Sequence, residues 1–370
     1  MKILNILLSG LFLLFETTTG YCASDASFLT LKKDSLHKRN GERVFFPAIF
    51  YKPETRFGIG FGEMVSFKFD RNDSITRPCK AIASQWITQN KQLILTIIPQ
   101  IYTPGNKYFI YTNCQFWRFP NRFYNIGCNS SDNYESYSAD IFELKNIVQR
   151  KVGKKMFLGI IQKLKNFDLR ETESGGILSK RILTGSTGGI ASGAGFIVNY
   201  DTRDNIFYPY YGSYNQLQYI NYSPVTGSKY NFNNYLMDLR KFIRTWRYQV
   251  IALQFTMEVN GGNTPFFQMA QVGGSNSLRG YYLGRFTDNN AMIFQTEYRV
   301  PVWKRFGIVG FGGAGEVADR FSHYNISCLK PSGGAGLRFK ISEKEKVNAR
   351  LDYGWGKNYS GLYVEISEAF

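Results

Sequence analysis

Hydrophobic residues recur at every second position, with few interruptions, from Phe45 to the last residue, Phe370. The clearest stretch sets Phe57, Ile59, Phe61, Val65, Phe67 and Phe69 against Gly58, Gly60, Gly62, Met64, Ser66 and Lys68, with only Glu63 breaking the apolar face. A position near a rim would allow that glutamate. A period of two means extended strands whose successive side chains point to opposite faces. One face is greasy. The other is too polar for the core of a sandwich, as in Gln249–Val259 and Met292–Val302, where Gln254, Thr256 and Glu258, then Gln295, Glu297 and Arg299, occupy the second face. Apolar outside and polar inside is the pattern of a barrel closed within a membrane. The competing fold is a secreted, aromatic-rich β-sandwich.

Beyond the first residues no apolar run approaches the roughly 20 needed for a spanning helix, so a helical bundle is excluded. The start itself, with Lys2, an apolar run from Ile3 to Phe15 and a small-residue exit at Ala23, reads as a secretory signal peptide over residues 1–23. Tyr21 before Cys22 is too bulky for a good lipoprotein site. Residues 24–45 are expected to be a short periplasmic lead-in, and 46–370 an all-β transmembrane barrel of about sixteen antiparallel strands at roughly 10 residues each plus connections. Aromatic residues make up 16% of the chain and suit girdles at two membrane interfaces. The formal charge of +17 fits anionic lipid headgroups, an anion-attracting lumen or a solvated surface alike. For an exported chain, nucleic acid is not an expected partner. Four cysteines follow the signal, Cys79, Cys114, Cys128 and Cys328, and their spacing favours no pairing over free thiols.

The alternation places a first strand at Phe57–Phe69 and others near Ala81–Thr88, Leu93–Ile101 and Tyr108–Phe119. Pro120 is expected to close the last of these. A fifth strand starts near Phe123, and poorer alternation gives Ser138–Arg150 and Met156–Asp168. Eight more run from Ile190 to Tyr353, and the chain ends on Gly361–Phe370, with Leu362, Val364, Ile366 and Phe370 on one face. The longest break in the second half, Gly273 to Arg285, is glycine-framed and carries two arginines six residues apart.

Several segments, taken in order, resemble the BamA/TamA-like superfamily, also called the bacterial surface antigen family. They are Phe46-Pro47 through Tyr51-Lys52-Pro53-Glu54-Thr55, Phe119-Pro120-Asn121-Arg122-Phe123-Tyr124, Tyr200-Asp201-Thr202-Arg203-Asp204, Gly273-Gly274 with Leu278-Arg279-Gly280-Tyr281, and Gln295-Thr296-Glu297-Tyr298-Arg299. The resemblance covers residues 46 to 370. It implies a sixteen-stranded barrel whose sixth extracellular loop folds into the lumen, where Arg279, flanked by Gly280 and Tyr281, is held by the inner wall. Glu297, on the polar face of the next strand, is the expected carboxylate, because a guanidinium in a partly dry lumen needs a planar acceptor. The family's aromatic-and-aspartate wall element is degraded, with Phe311 present and Gly313 in the aspartate's place. Glu316, with Arg285, is the candidate for a secondary lock. Asp201, Arg203 and Asp204 resemble a family periplasmic turn, and a terminal Phe370 resembles an outer-membrane targeting signal. The stretch 24–43 is too short for the POTRA modules of assembly and secretion members.

Catalytic chemistry is not expected. Only His37 and His323 occur, neither in a predicted strand, and no Gly-x-Ser-x-Gly elbow is present. Asp201, Asp204 and Asn205 are better read as turn residues than as cation ligands, and neither a metal nor a cofactor is expected. The function implied by resemblance is a non-enzymatic outer-membrane barrel, exported to the bacterial outer membrane. It would help insert or translocate proteins or lipids through a lateral seam between the first and last strands. Its partners would be outer-membrane lipids, unfolded outer-membrane or secreted clients, and a separate periplasmic protein replacing the modules. The alternative is a passive small-solute pore or a scaffold for an outer-membrane complex.

Overall fold

The computed structural model describes residues 41–370, except 71, 72, 74, 344 and 345. The expected signal peptide, residues 24–40 of the lead-in and His37 lie outside the described residues. Sixteen antiparallel strands form a closed barrel. They are β1 (Gly41–Lys52), β2 (Arg56–Phe67), β3 (Cys79–Thr88), β4 (Leu93–Tyr102), β5 (Tyr108–Phe123), β6 (Glu135–Val152), β7 (Met156–Thr172), β8 (Gly189–Asp201), β9 (Gly212–Tyr222), β10 (Phe232–Arg244) and β11 (Val250–Gly262), then β14 (Asn290–Trp303), β15 (Phe306–Ala318), β16 (Lys330–Ser342), β17 (Val347–Gly356) and β18 (Tyr359–Ile366). Between β11 and β14, β12 (Ala270–Val272) and β13 (Phe286–Asp288) make a two-stranded hairpin of their own. Among the described residues no helix is long and apolar enough to cross a membrane.

The faces follow parity. Phe57, Ile59 and Phe61 of β2 and Phe294, Tyr298 and Val302 of β14 point outward and are exposed, whereas Ile293, Gln295, Glu297 and Arg299 point inward and are buried. Glu63 does face outward, beside Arg43 of β1, with which it forms an ion pair. These two outward charges thereby partner each other across neighbouring strands.

Three strand expectations need correction. The first barrel strand is β1, and the expected Phe57–Phe69 strand is β2, which stops at Phe67. The barrel wall therefore begins within the stretch expected to be lead-in. No separate strand starts near Phe123. Pro120 does not stop β5, which runs on to Phe123 with Pro120 opposite Ser138 of β6. The ladder with β4 has already ended at Leu93 opposite Arg118, so β5 has lost its β4 partner where Pro120 lacks an N–H. One strand missed and one strand invented leave the total at sixteen. Finally, β18 stops at Ile366. Ser367 takes a φ of 101°, and the chain turns inward.

Neighbouring strands pair along most of their length, with one exception. Between β1 and β18 the described residues give a single register pair, Tyr51 opposite Val364. By contrast β1 pairs with β2 from Gly41–Phe67 to Lys52–Arg56.

Candidate functional site

The β11–β14 loop folds back into the barrel because its glycines let the backbone lie directly on the wall. Gly280 has a φ of 106°, and a Cβ there would sit 2.6 Å from the Trp355 carbonyl carbon of β17. Across the contact, a Cβ on Gly354 would sit 2.9 Å from the Gly280 nitrogen. Side chains at these two positions would push the loop off the wall. The Gly280 N–H then donates to the Tyr363 hydroxyl at 3.0 Å, and the Tyr281 hydroxyl donates to the Pro331 carbonyl at 2.9 Å. Leu278 and Tyr281 pack with Val272, Phe286, Ile293 and Val317 in a buried apolar layer beneath the loop.

This placement carries Arg279 into the wall, where it is 2% exposed. Its Nη2 donates to Glu297 Oε1 and its Nη1 to Asp352 Oδ2, both at 2.5 Å. The guanidinium carbon lies 3.6 Å from the centroid of the Phe311 ring, a cation–π stack that covers the face the carboxylates leave open. Sequence reasoning named Arg279, Glu297 and Phe311, and the structure brings them together. It missed Asp352. Gly313 is indeed without a carboxylate, and Asp352, two strands further round on β17, supplies the second acceptor.

The two carboxylates belong to a larger network. Arg299 donates through Nε to Glu297 Oε2 at 2.8 Å, Arg338 through Nε to Glu368 Oε2 at 2.7 Å and through Nη1 to Asp352, and Arg350 through Nη1 to Asp352 Oδ2 at 3.1 Å and through Nη2 to Glu365. Arg350 also holds the loop from below, donating to the Ser275 carbonyl at 3.2 Å and to Asn276 Oδ1 at 2.8 Å. Four arginines thus meet four carboxylates, Glu297, Asp352, Glu365 and Glu368, and the cluster is close to neutral. Burial of so many charges is tolerated because each is paired and hydrogen-bonded. The network also reaches the seam, since Lys52 of β1 forms an ion pair with Glu365 of β18.

The expected secondary lock is not a pair. Glu316 instead accepts from the Asn325 N–H at 2.6 Å, in the connection after β15. Arg285 turns the other way, donating through Nη2 to Asp132 Oδ1 at 2.6 Å and through Nε to the Tyr359 hydroxyl at 2.8 Å. The Tyr359 hydroxyl and the Arg285 guanidinium hold the Asp132 carboxyl below its ordinary range. Asp132 belongs to the β5–β6 connection, which is tied to the β15–β16 connection by a Cys128–Cys328 disulfide. Cys79 and Cys114 are free. Sequence spacing held no signal for the bridge, because its halves come from connections 200 residues apart.

At the opposite end of the barrel, Arg203 pairs with Asp201 through Nε and Nη2, both at 3.0 Å, and Asp204 Oδ1 accepts from the Tyr210 N–H at 2.8 Å. These carboxylates serve the turn. Phe370 is not on the terminal strand's outer face. It packs inward with Phe242, Val250, Ala252 and Ala369, and its main-chain oxygen accepts from Arg299 Nη2 at 3.1 Å. His323 lies in the β15–β16 connection, where its Nδ1 is 2.7 Å from Asp319 Oδ1.

The loop is thus pinned inside the barrel by an arginine in a carboxylate cluster, beside a nearly unpaired seam. The Omp85 superfamily domain profile matches residues 151–370, more than half of the chain. The chain belongs to the Omp85 superfamily. Among solved structures, this Omp85 barrel is similar to BamA from Haemophilus ducreyi lacking POTRA domains 1–3, at 12% identity and a TM-score of 0.61, covering 95% of this chain and 76% of that one. It is also similar to CdiB from Acinetobacter baumannii (11% identity, TM-score 0.59, 89% of this chain and 60% of that one) and CdiB from Escherichia coli (8%, 0.58, 90% and 63%). The chain therefore spans less than two thirds of either CdiB chain. Identities this low speak to the fold alone. A search of curated proteins finds no match.

Proposed function

We propose that this Omp85 barrel is a non-enzymatic outer-membrane protein that assists insertion or translocation of proteins or lipids through the β1–β18 seam, with the Arg279 loop as the internal brace that sets how readily the seam parts. The observation that carries this reading is the single register pair, Tyr51 opposite Val364, in a wall whose other neighbouring strands pair along most of their length. Unpaired N–H and C=O groups on two facing edges are a template for an incoming strand. The clients would be unfolded outer-membrane or secreted chains, handed over by a separate periplasmic partner. On this reading the end carrying Phe370 faces the periplasm, and the Arg279 loop enters from the outside.

The brace and the gate are mechanically connected. Arg279, Asp352, Arg350, Glu365 and Lys52 form an unbroken run of ion pairs from the loop to β1. Glu54, in the β1–β2 turn, adds a second link by accepting from the Leu283 N–H at 2.7 Å. A passive pore is the weaker reading, because the loop and a layer of phenylalanines occupy the barrel's interior.

The test is a cysteine pair, Tyr51→Cys with Val364→Cys, in a background carrying Cys79→Ser and Cys114→Ser. Oxidised protein in liposomes is expected to lose its ability to speed insertion of an unfolded barrel and to regain it on reduction. The background protein without the new pair is carried through the same redox steps to account for the Cys128–Cys328 bridge. Acceleration that persists with the seam cross-linked rejects lateral opening.

A further inference from the structure

The inner wall on the far side of the barrel from the arginine cluster has an unbalanced rung. Odd-numbered residues of β6 and β7 face inward, as burial of Ile141, Ile147, Ile161 and Phe167 shows. The inward register pairs run in order: Ile141 opposite Phe167, Glu143 opposite Lys165, Lys145 opposite Lys163, and Ile147 opposite Ile161. The second rung is an opposite-charge pair, with Lys165 Nζ 2.6 Å from Glu143 Oε1. The third sets two ammonium groups directly across from each other, which is destabilising on a shared face.

Neither Lys145 nor Lys163 has a carboxylate at ion-pairing distance among the described residues. Glu143 is occupied by Lys165, and Glu258, the other acid whose charge reaches Lys163, accepts from Asn234 Nδ2 at 2.8 Å. On the inward face the rung lies between the Glu143–Lys165 ion pair and the apolar Ile147–Ile161 pair. Toward the Arg279-loop end, Phe167 stacks on Phe267 with centroids 4.5 Å apart, and Lys165 donates to the Phe267 carbonyl at 3.3 Å. Toward the other end lie Ile147 and Ile161. On β5, the residue opposite Lys145 is Asn113, whose Oδ1 is buried without a partner. Elsewhere in the lumen the buried arginines are matched carboxylate for carboxylate, so two facing cations without an acid are the exception.

We propose that Lys145 and Lys163 together hold a small inorganic oxyanion, of the phosphate or sulfate class, on the inner wall of the barrel. Two ammonium groups supply up to six N–H donors without an acceptor. A tetrahedral dianion can take donors from both and match their charge, which a halide cannot. The inference stands apart from the insertase reading and needs no client.

The experiment is calorimetric titration of inorganic phosphate into the folded, detergent-solubilised chain at constant ionic strength set with chloride. One saturable site is expected. Lys145→Met with Lys163→Met is expected to weaken it at least tenfold, whereas Lys154→Met, in the β6–β7 turn, leaves it unchanged. Absence of saturable uptake by the unmodified chain overturns the proposal, as does undiminished uptake by the double variant. Chloride competing as well as phosphate overturns the oxyanion preference. If the double variant does not fold, Lys163→Arg and Lys145→Gln decide instead: the first must retain the site and the second must weaken it.

Discussion

Lys52 and Glu365 face each other across the seam between β1 and β18 and form its ion pair. Glu365 also receives Arg350, so the pair that spans the weakest line of the barrel is the last link of the network that starts at Arg279. With one register pair beside it, this contact is one of the few defined links between the two strands. Lys52→Met is expected to loosen the seam without unfolding the wall. The measure is the rate of oxidative cross-linking between cysteines at positions 51 and 364, or of amide exchange in residues 359–366, expected to rise several-fold. Unaltered exchange there means that backbone pairing alone sets the seam.

Arg279 is the second lever. Removing one member of a buried, hydrogen-bonded ion cluster typically costs about 3–5 kcal/mol, because the remaining charges are left uncompensated. Arg279→Ala is expected to lower the temperature at which the barrel loses its compact electrophoretic form and to open residues 273–285 to protease. Arg279→Lys is expected to rescue poorly, since one ammonium cannot bridge Glu297 and Asp352 or lie flat on Phe311. Asp352→Asn and Glu297→Gln should be comparably damaging, because each carboxylate serves two arginines besides Arg279: Arg338 and Arg350 at Asp352, Arg299 and Arg338 at Glu297. A clear difference between the two variants would single out the principal acceptor.

Glu54 gives a pH dependence of known sign. Burial in the β1–β2 turn raises its pKa above the ordinary glutamate value, against the lowering effect of backbone hydrogen bonds, including that from Leu283. A carboxyl whose folded pKa lies above its unfolded value contributes stability while protonated, below the unfolded pKa, and loses it as pH rises through the folded one. Contact between the turn and the Arg279 loop is therefore expected to tighten as pH falls from neutral into the carboxylate range. Glu54→Gln keeps the acceptor for Leu283 without the charge. It should slow loop proteolysis at neutral pH and remove that pH dependence. A variant that digests faster at neutral pH would mean that the charge is needed, with Lys52 its partner.

Much of this was legible in the chain. Parity alone assigns Gln295, Glu297 and Arg299 to the lumen, because a period of two leaves only two faces and the greasy one must meet lipid. Arg279 was legible through its glycine frame and family resemblance. Which acids it meets was only half legible. Asp352 was on the polar face of its strand, but its proximity to Arg279 depends on barrel closure and on how deep the loop reaches, and neither leaves a local trace. Strand β1 was missed because charged and proline positions (Glu42, Arg43, Pro47, Lys52) interrupt its alternation, and the pairing of Arg43 with Glu63 needs the second strand to be visible. Phe370 was misplaced for a related reason. Extending β18 by parity ignores the left-handed Ser367, where the strand ends.

The disulfide makes a separate prediction at the mouth of the barrel. Cys128 and Cys328 join two connections that flank the Arg285–Asp132 pair, so the bridge and the pair hold the same cap. Cys128→Ser with Cys328→Ser is expected to raise protease cleavage within 124–134 several-fold while leaving the arginine cluster and the barrel's overall heat resistance nearly unchanged. A matching fall in barrel stability would show that the cap and wall unfold together.

Phe370 separates a structural role from an addressing one. Its ring is buried with Phe242 and Ala252 and lies 5.6 Å from the Arg299 guanidinium, whose Nη2 also donates to its main-chain oxygen. Truncating a buried phenylalanine to alanine costs about 3–5 kcal/mol when the site cannot collapse. Phe370→Ala is therefore expected to unfold at lower temperature after refolding into detergent from denaturant, where no assembly machinery is present to read a signal. Phe370→Leu should recover most of that loss, because it restores apolar volume beside Phe242 while lacking an aromatic ring. A terminal phenylalanine used only as an address predicts no change in detergent for either variant, with the defect confined to delivery in cells.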